Sequence, residues 1–170
     1  MKKNISLWQF SGFATVSLLG TLLHYLYDWS GKNRFIAAFS GINESTWEHM
    51  KLIYFPLLIF AFIQSLFFKD RKDFWCIKLA GIIMGLTLIP VIFYTYNGIF
   101  GKSPDWINIA IFFISAASVF IAETRFFRKN TFTCKHKWLA IICIIAIGVL
   151  FLIFTYFTPD IPLFEPPKKS

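Results

Sequence analysis

Five long apolar runs, separated by short polar connections, dominate the chain, and a membrane-spanning helix needs about 20 mostly apolar residues. The runs predict helices from Leu7 to Tyr27, Trp47 to Phe68, Trp75 to Tyr96, Pro104 to Phe127 and Trp138 to Phe157. Strands are not expected, because the runs lack the alternation and the length of about 10 residues of membrane barrel strands. The expected fold is all-α, an integral membrane bundle of five transmembrane helices forming one domain over residues 1–170, with an extracytoplasmic tail over 158–170. There is no internal repeat, and five spans do not divide into equal halves, which argues against a standard secondary transporter in one chain.

Local signals sharpen the boundaries. Tyr25, Tyr27 and Trp29 close the first run, Trp47 opens the second, and Tyr94 and Tyr96 close the third, as interfacial aromatics do. Gly98 reads as a helix stop. In "KSPDW", Ser103 is placed to cap the fourth helix, with Pro104 at the first helical position and Asp105 in the first turn. Pro56 and Pro90 each remove a backbone hydrogen bond inside a helix. Gly81 and Gly85 in the third helix, and Ser115, Ser118 and Ala122 in the fourth, form small-residue faces suited to close helix approach.

Composition confirms the class: of 170 residues, 56% are hydrophobic and only 15% charged, against about a quarter charged in soluble domains. The net charge of +8 is spread in short clusters between apolar runs, a pattern that points to anionic lipid and not to nucleic acid. Lys69, Arg71, Lys72 and Lys78 flank one connection, and Arg125, Arg128, Lys129, Lys135 and Lys137 another. With five spans both share a side with Lys2 and Lys3. The positive-inside rule then puts the N-terminus in the cytoplasm and the C-terminus outside, in a multi-pass cell-membrane protein. The Met1-Lys2-Lys3 start and its long apolar run, with no A-x-A site, read as a retained helix and not a cleaved signal. Cys76, Cys134 and Cys143 show no CxxC spacing and no even count, and are expected to be reduced, unpaired thiols.

The polar string "GINESTWEHMK", residues 41 to 51, carries the candidate chemistry. Ser45 and Glu48 match a capping box, in which Ser45 accepts from the Glu48 N–H and Glu48 from the Ser45 N–H. Lys51 is spaced to pair with Glu48 and lie along the Trp47 indole, an interfacial anchor. Glu44 and His49 are left over. His24 and Asp28, four apart, share a face at the end of the first helix, so that Asp28 can orient the His24 imidazole. His24, Asp28, Glu44, Glu48 and His49 are therefore expected to converge on the outer side. Two histidines with carboxylates suffice for a divalent metal at His24, His49, Glu44 and Glu48, though "EHMKL" is not the H-E-x-x-H motif; a hydrogen-bonded polar pocket without metal is the preferred reading.

Elsewhere, Tyr94 and Asn97 fit an aromatic belt before a helix stop, with contribution to the outer pocket as the alternative. Glu123 is expected to pair locally with Arg125 and Arg128. In the tail "TPDIPLFEPP", the prolines stop the fifth helix, and Ile161, Leu163 and Phe164 are expected to fold back on the bundle as a lid on the pocket or as a hydrophobic plug.

The string Asn43-Glu44-Ser45-x-Trp47-Glu48-His49-x-Lys51, with Pro162-Leu163-Phe164-x-Pro166, resembles a family of small five-helix membrane proteins of Firmicutes and related bacteria, a domain of unknown function. The resemblance covers nearly the whole chain, with Glu165 standing where the family pattern has aspartate. It implies these motif residues as a signature and supplies no activity. The leading expectation is a non-enzymatic membrane protein that binds a small ligand, lipid headgroup or protein partner through His24, Asp28, Asn43, Glu44, Trp47, Glu48, His49 and Lys51. Its alternative is a membrane-embedded hydrolase or transferase acting on a lipid-linked substrate, with Glu48, His49 and Glu44 as catalytic candidates. A second alternative is a subunit of a transport complex, docked through the small-residue faces of the third and fourth helices; the expected partners are the lipid bilayer and either a membrane protein or a second copy of the chain.

Overall fold

The structure is a computed structural model describing residues 4–101, 103–129 and 133–166. Lys2, Lys3 and the last four residues of the tail lie outside the described residues, as does the side chain of Asp105. Among the described residues there are six helices and no strand: α1 Ile5–Trp29, α2 Arg34–Ala37, α3 Thr46–Phe67, α4 Phe74–Phe100, α5 Asp105–Lys129 and α6 Lys137–Tyr156. All but α2 are long and apolar enough to cross a membrane. The short α2 lies in what reads from sequence as a plain connection; Asn33 caps it by accepting from the Phe35 and Ile36 N–H groups.

The boundaries follow local chemistry. Helix α1 ends in a Schellman motif: Gly31 has φ 67°, its N–H donates to the Asp28 carbonyl, and the Lys32 N–H donates to that of Tyr27. Helix α4 runs through Gly98 and stops at Gly101, whose φ of 80° and ψ of −155° only glycine adopts without strain. The stop expected at Gly98 is therefore three residues early, since nothing at that position forces the chain out of the helix. Ser103 does not cap α5 through the backbone; its hydroxyl donates to the Asn108 side chain, and its N–H is taken by Asn97, fastening the α4–α5 connection.

The long helices run antiparallel to their sequence neighbours. Trp8 of α1 meets Phe67 and Phe68 at one end of α3, while His24 meets His49 at the other. The starts of α1 and α4 and the ends of α3 and α5 define a basic end; the opposite end carries the tail. The core is aromatic-rich, built around Ile53, Tyr54, Phe60, Phe112, Phe120 and Phe151. Tyr54 donates to the Ile144 carbonyl at 2.6 Å, so that α6 is tied to α3 at mid-bundle.

Small residues set the closest approaches. A Cβ on Gly85 would sit 2.9 Å from Val119, and one on Gly81 2.6 Å from Glu123. The glycine face of α4 is thus packed on Val119 and Glu123 of α5, and Ser115 of α5 is buried. Pro56, without an N–H, leaves the Leu52 carbonyl with no helical donor, and α1 closes on that carbonyl: a Cβ on Gly20 would lie 2.8 Å from it. Gly20→Ala, pressing on backbone, is expected to lower unfolding stability in detergent by about 1–3 kcal/mol. Gly98→Ala, with nothing within 4 Å, should be neutral or stabilising by up to about 1 kcal/mol. Equal stability losses would contradict this packing.

Candidate functional site

The polar string divides by partner. The Ser45 hydroxyl accepts from the Glu48 N–H at 3.4 Å, one half of the expected capping box. The other half is absent, because Asn43 takes the Ser45 N–H at 2.8 Å and so holds the turn. Glu48 turns instead to the Ile42 N–H at 2.9 Å and the Lys51 ammonium at 2.7 Å.

Lys51 is not an interfacial anchor along Trp47, since its side chain is 0% exposed. An ammonium carries three donors, and all three are used: Glu48, the Ala37 carbonyl at 2.9 Å and the Thr155 hydroxyl at 3.0 Å. Thr155 passes its own proton to the Phe151 carbonyl. One buried charge thus ties the start of α3 to the last residue of α2 and the last turn of α6. Glu48 and Lys51, expected among the ligand contacts, are consumed by the fold.

Trp47 is likewise internal: its ring packs against Phe151 and Phe164, both at 4.6 Å, and its backbone N–H donates to the Leu163 carbonyl at 3.0 Å. The Tyr94 hydroxyl reaches the Pro162 carbonyl at 3.2 Å. Of the two roles expected for the tail, the plug is the one observed, with Leu163 and Phe164 folded in and Ile161 left exposed. Trp47 and His49 are two residues apart and point about 200° apart around α3, so the tail covers the side away from His49.

What remains at the rim is a cluster of three. Glu44 lies between the imidazoles, its carboxylate oxygens 3.7 Å from His24 Nε2 and 3.6 Å from His49 Nε2, and the two rings are 5.8 Å apart. His49 Nδ1 lies 2.9 Å from the Ser45 carbonyl, which can only accept. The neutral ring therefore carries its proton on Nδ1, and the Nε2 lone pair faces Glu44. The Glu44 side chain is 63% exposed, those of His24 and His49 31% and 17%. On its other side His49 borders a narrow cleft with Thr46, Ile89, Phe93 and Asn108, with room for on the order of one water molecule. Asp28 is exposed, and no hydrogen bond or ion pair joins it to His24. Among the described residues no group of three or more His, Cys, Asp and Glu side chains is arranged to hold a metal ion. The arrangement offers three acceptors at a membrane rim, carrying one negative charge when the imidazoles are neutral.

Two features at the basic end escape sequence reasoning. Lys78, which flanks the α3–α4 connection within α4, is only 2% exposed, with its ammonium 2.6 Å from Glu123 and facing the rings of Phe60, Phe74, Phe120 and Phe127 at 5.5–5.8 Å. Glu123 therefore does not pair with Arg125 or Arg128. It is buried because Gly81 leaves it space. The Gln9 carboxamide is buried beside Glu123, and that of Gln64 has no hydrogen-bond partner among the described residues. The second feature is a disulfide between Cys76 and Cys134, which corrects the expectation of unpaired thiols; only Cys143 is free. Local spacing gives no sign of it, because the partners are 58 residues apart and meet only when α4 and the α5–α6 connection reach the same end.

Five apolar spans of membrane length, packed by small residues and locked by buried ion pairs, make this a multi-pass helical membrane protein. Within that class the chain is matched over residues 1–168 by the Family of unknown function (DUF6512), and it belongs to that family. Comparison with curated proteins and with solved structures returns no match.

Lys78→Met leaves Glu123 charged and unpaired in the bundle, and is expected to cost about 3–5 kcal/mol of stability in detergent, whereas Lys78→Met with Glu123→Leu should recover most of the loss. A double variant as unstable as the single one would contradict the pairing.

Proposed function

We propose that the protein is a non-enzymatic binding protein of the cell membrane, and that its ligand carries a small cationic, hydrogen-bond-donating group taken up by His24, Glu44 and His49. An ammonium group, as in an amine-bearing lipid headgroup or a lysine of a partner, is the best match: three donors meet three acceptors. The observation that carries this reading is Glu44, an exposed carboxylate set between two imidazoles at 3.6 and 3.7 Å. The neighbouring Glu48 serves the fold, and among the described residues Glu44 makes no other polar contact.

In this reading the site faces outward and the basic end faces the cytoplasm, on the strength of the lysine and arginine bias. The Cys76–Cys134 pair lies at that basic end, where a reducing compartment would keep it as two thiols within bridging reach. The metal-dependent reading has one observation in its favour, the His49 ring held by Ser45 with Nε2 toward Glu44, since metal-bound histidines are commonly oriented in this way.

The full chain in nanodiscs, titrated with ethanolamine and separately with Zn²⁺, distinguishes the two. Ethanolamine binding should weaken roughly 10- to 100-fold in Glu44→Gln, with little change in unfolding temperature. Binding unaffected by Glu44→Gln would overturn the site. Stoichiometric Zn²⁺ lost in His49→Ala, with no ethanolamine binding, would replace it with the metal reading.

A further inference from the structure

The basic end carries an open groove of about 720 Å³, remote from the histidine rim and independent of its function. One wall is basic: Lys72 from the α3–α4 connection, and Lys135, His136 and Lys137 leading into α6. None of these lysines has a carboxylate partner among the described residues, and no Asp or Glu lines the groove. The other wall is apolar, formed by Trp138, Leu139 and Ile142, which are 68%, 58% and 61% exposed. Lys137 lies over the Trp138 ring at 5.2 Å, joining the two walls.

Three further observations bear on the occupant. The Cα atoms of Cys76 and Cys134 lie 5.8 Å apart, so that residue 134, bridged or reduced, sits against the first turn of α4 and the following basic residues face Lys72. The His136 side chain does not cap α6, so the N–H groups of its first turn stay available to an anion. The groove also runs from a connection onto the flank of a spanning helix, and therefore crosses the level where headgroups give way to acyl chains. A soluble phosphate compound would use the basic wall alone and leave Trp138, Leu139 and Ile142 without a role.

We infer that this groove is a binding site for an anionic phospholipid, with the phosphate held by Lys72, Lys135 and Lys137 and an acyl chain lying along Leu139 and Ile142. The charge is complementary, and a lysine near an anionic bilayer surface contributes roughly a fivefold increase in affinity. Trp138, with an apolar body and a polar N–H, occupies the level of the glycerol backbone as interfacial tryptophans do.

The test uses the full chain in phosphatidylcholine bilayers containing brominated phosphatidylglycerol or brominated phosphatidylcholine. Quenching of Trp138 is read as the difference between the wild type and Trp138→Phe. Phosphatidylglycerol is expected to associate at least tenfold more strongly than phosphatidylcholine. In the Lys72→Gln, Lys135→Gln, Lys137→Gln triple variant, whose changed residues are exposed, the preference should fall to near unity. Replacing Lys69, Arg125 and Lys129, also exposed at this end, should leave at least half of it. Equal quenching by both lipids in the wild type, or a preference surviving in the groove variant, would overturn the inference. So would an equal loss in the control variant, which would mean diffuse surface charge, or displacement of the lipid by millimolar glycerol phosphate, which would mean a soluble ligand.

Discussion

A lysine ammonium placed among helices inside a membrane must find a carboxylate and further acceptors, and Lys51 meets that requirement through one arrangement of the chain. Its three donors reach Glu48, the Ala37 carbonyl and Thr155, groups contributed by α3, the end of α2 and α6. Isolating such a charge costs several kcal/mol, so these segments are held in mutual register by one atom. The same choice determines which polar residues are left at the surface. With Glu48 turned inward, Asn43 takes over the Ser45 N–H, Trp47 packs under the tail, and Glu44 and His49 stand at the rim beside His24.

The basic end obeys the same rule by other means. Lys78 has a single carboxylate, Glu123, and the remaining faces of its ammonium meet phenylalanine rings. Aromatic faces attract a cation without supplying lone pairs, so the pair fits a layer of Phe60, Phe74, Phe120 and Phe127 where backbone acceptors are all engaged in helices. Gly81 is the concession that lets Glu123 in. The two buried lysines thus lie near opposite ends of the bundle, each linking elements distant in sequence. Between them the bundle is joined by apolar packing and the Tyr54 hydrogen bond.

The spans are legible in the sequence because length and apolarity decide them locally. Each predicted boundary lies within two residues of the observed one, except at Gly98, where the glycine makes no turn and α4 continues to Phe100. The Ser45 cap and the Lys51–Glu48 pair are readable for the same reason, being three residues apart. What is not legible depends on long-range meetings. Lys51 looks like an interfacial anchor until Thr155 is beside it, and Lys78 looks like one of several charges flanking a connection until Glu123 faces it. Cys76 and Cys134 look unrelated until two connections share an end. The convergence of His24, Glu44 and His49 is readable from antiparallel neighbours; the exclusion of Asp28 and Glu48 is not, because Glu48 finds its donors at Ile42 and Lys51 while Asp28 faces outward, exposed.

The fold and the composition of the rim depend most directly on the coupling between Glu48 and Lys51, which a double-mutant cycle measures from the unfolding free energies of the wild type, Glu48→Gln, Lys51→Met and the double variant in one detergent. Each single change should be strongly destabilising and the double change much less so than their sum, giving a coupling of about 2 kcal/mol or more. Losses that add to within about 0.5 kcal/mol would mean that the two charges do not support one another, and that Glu48 is as free as Glu44 to serve a ligand.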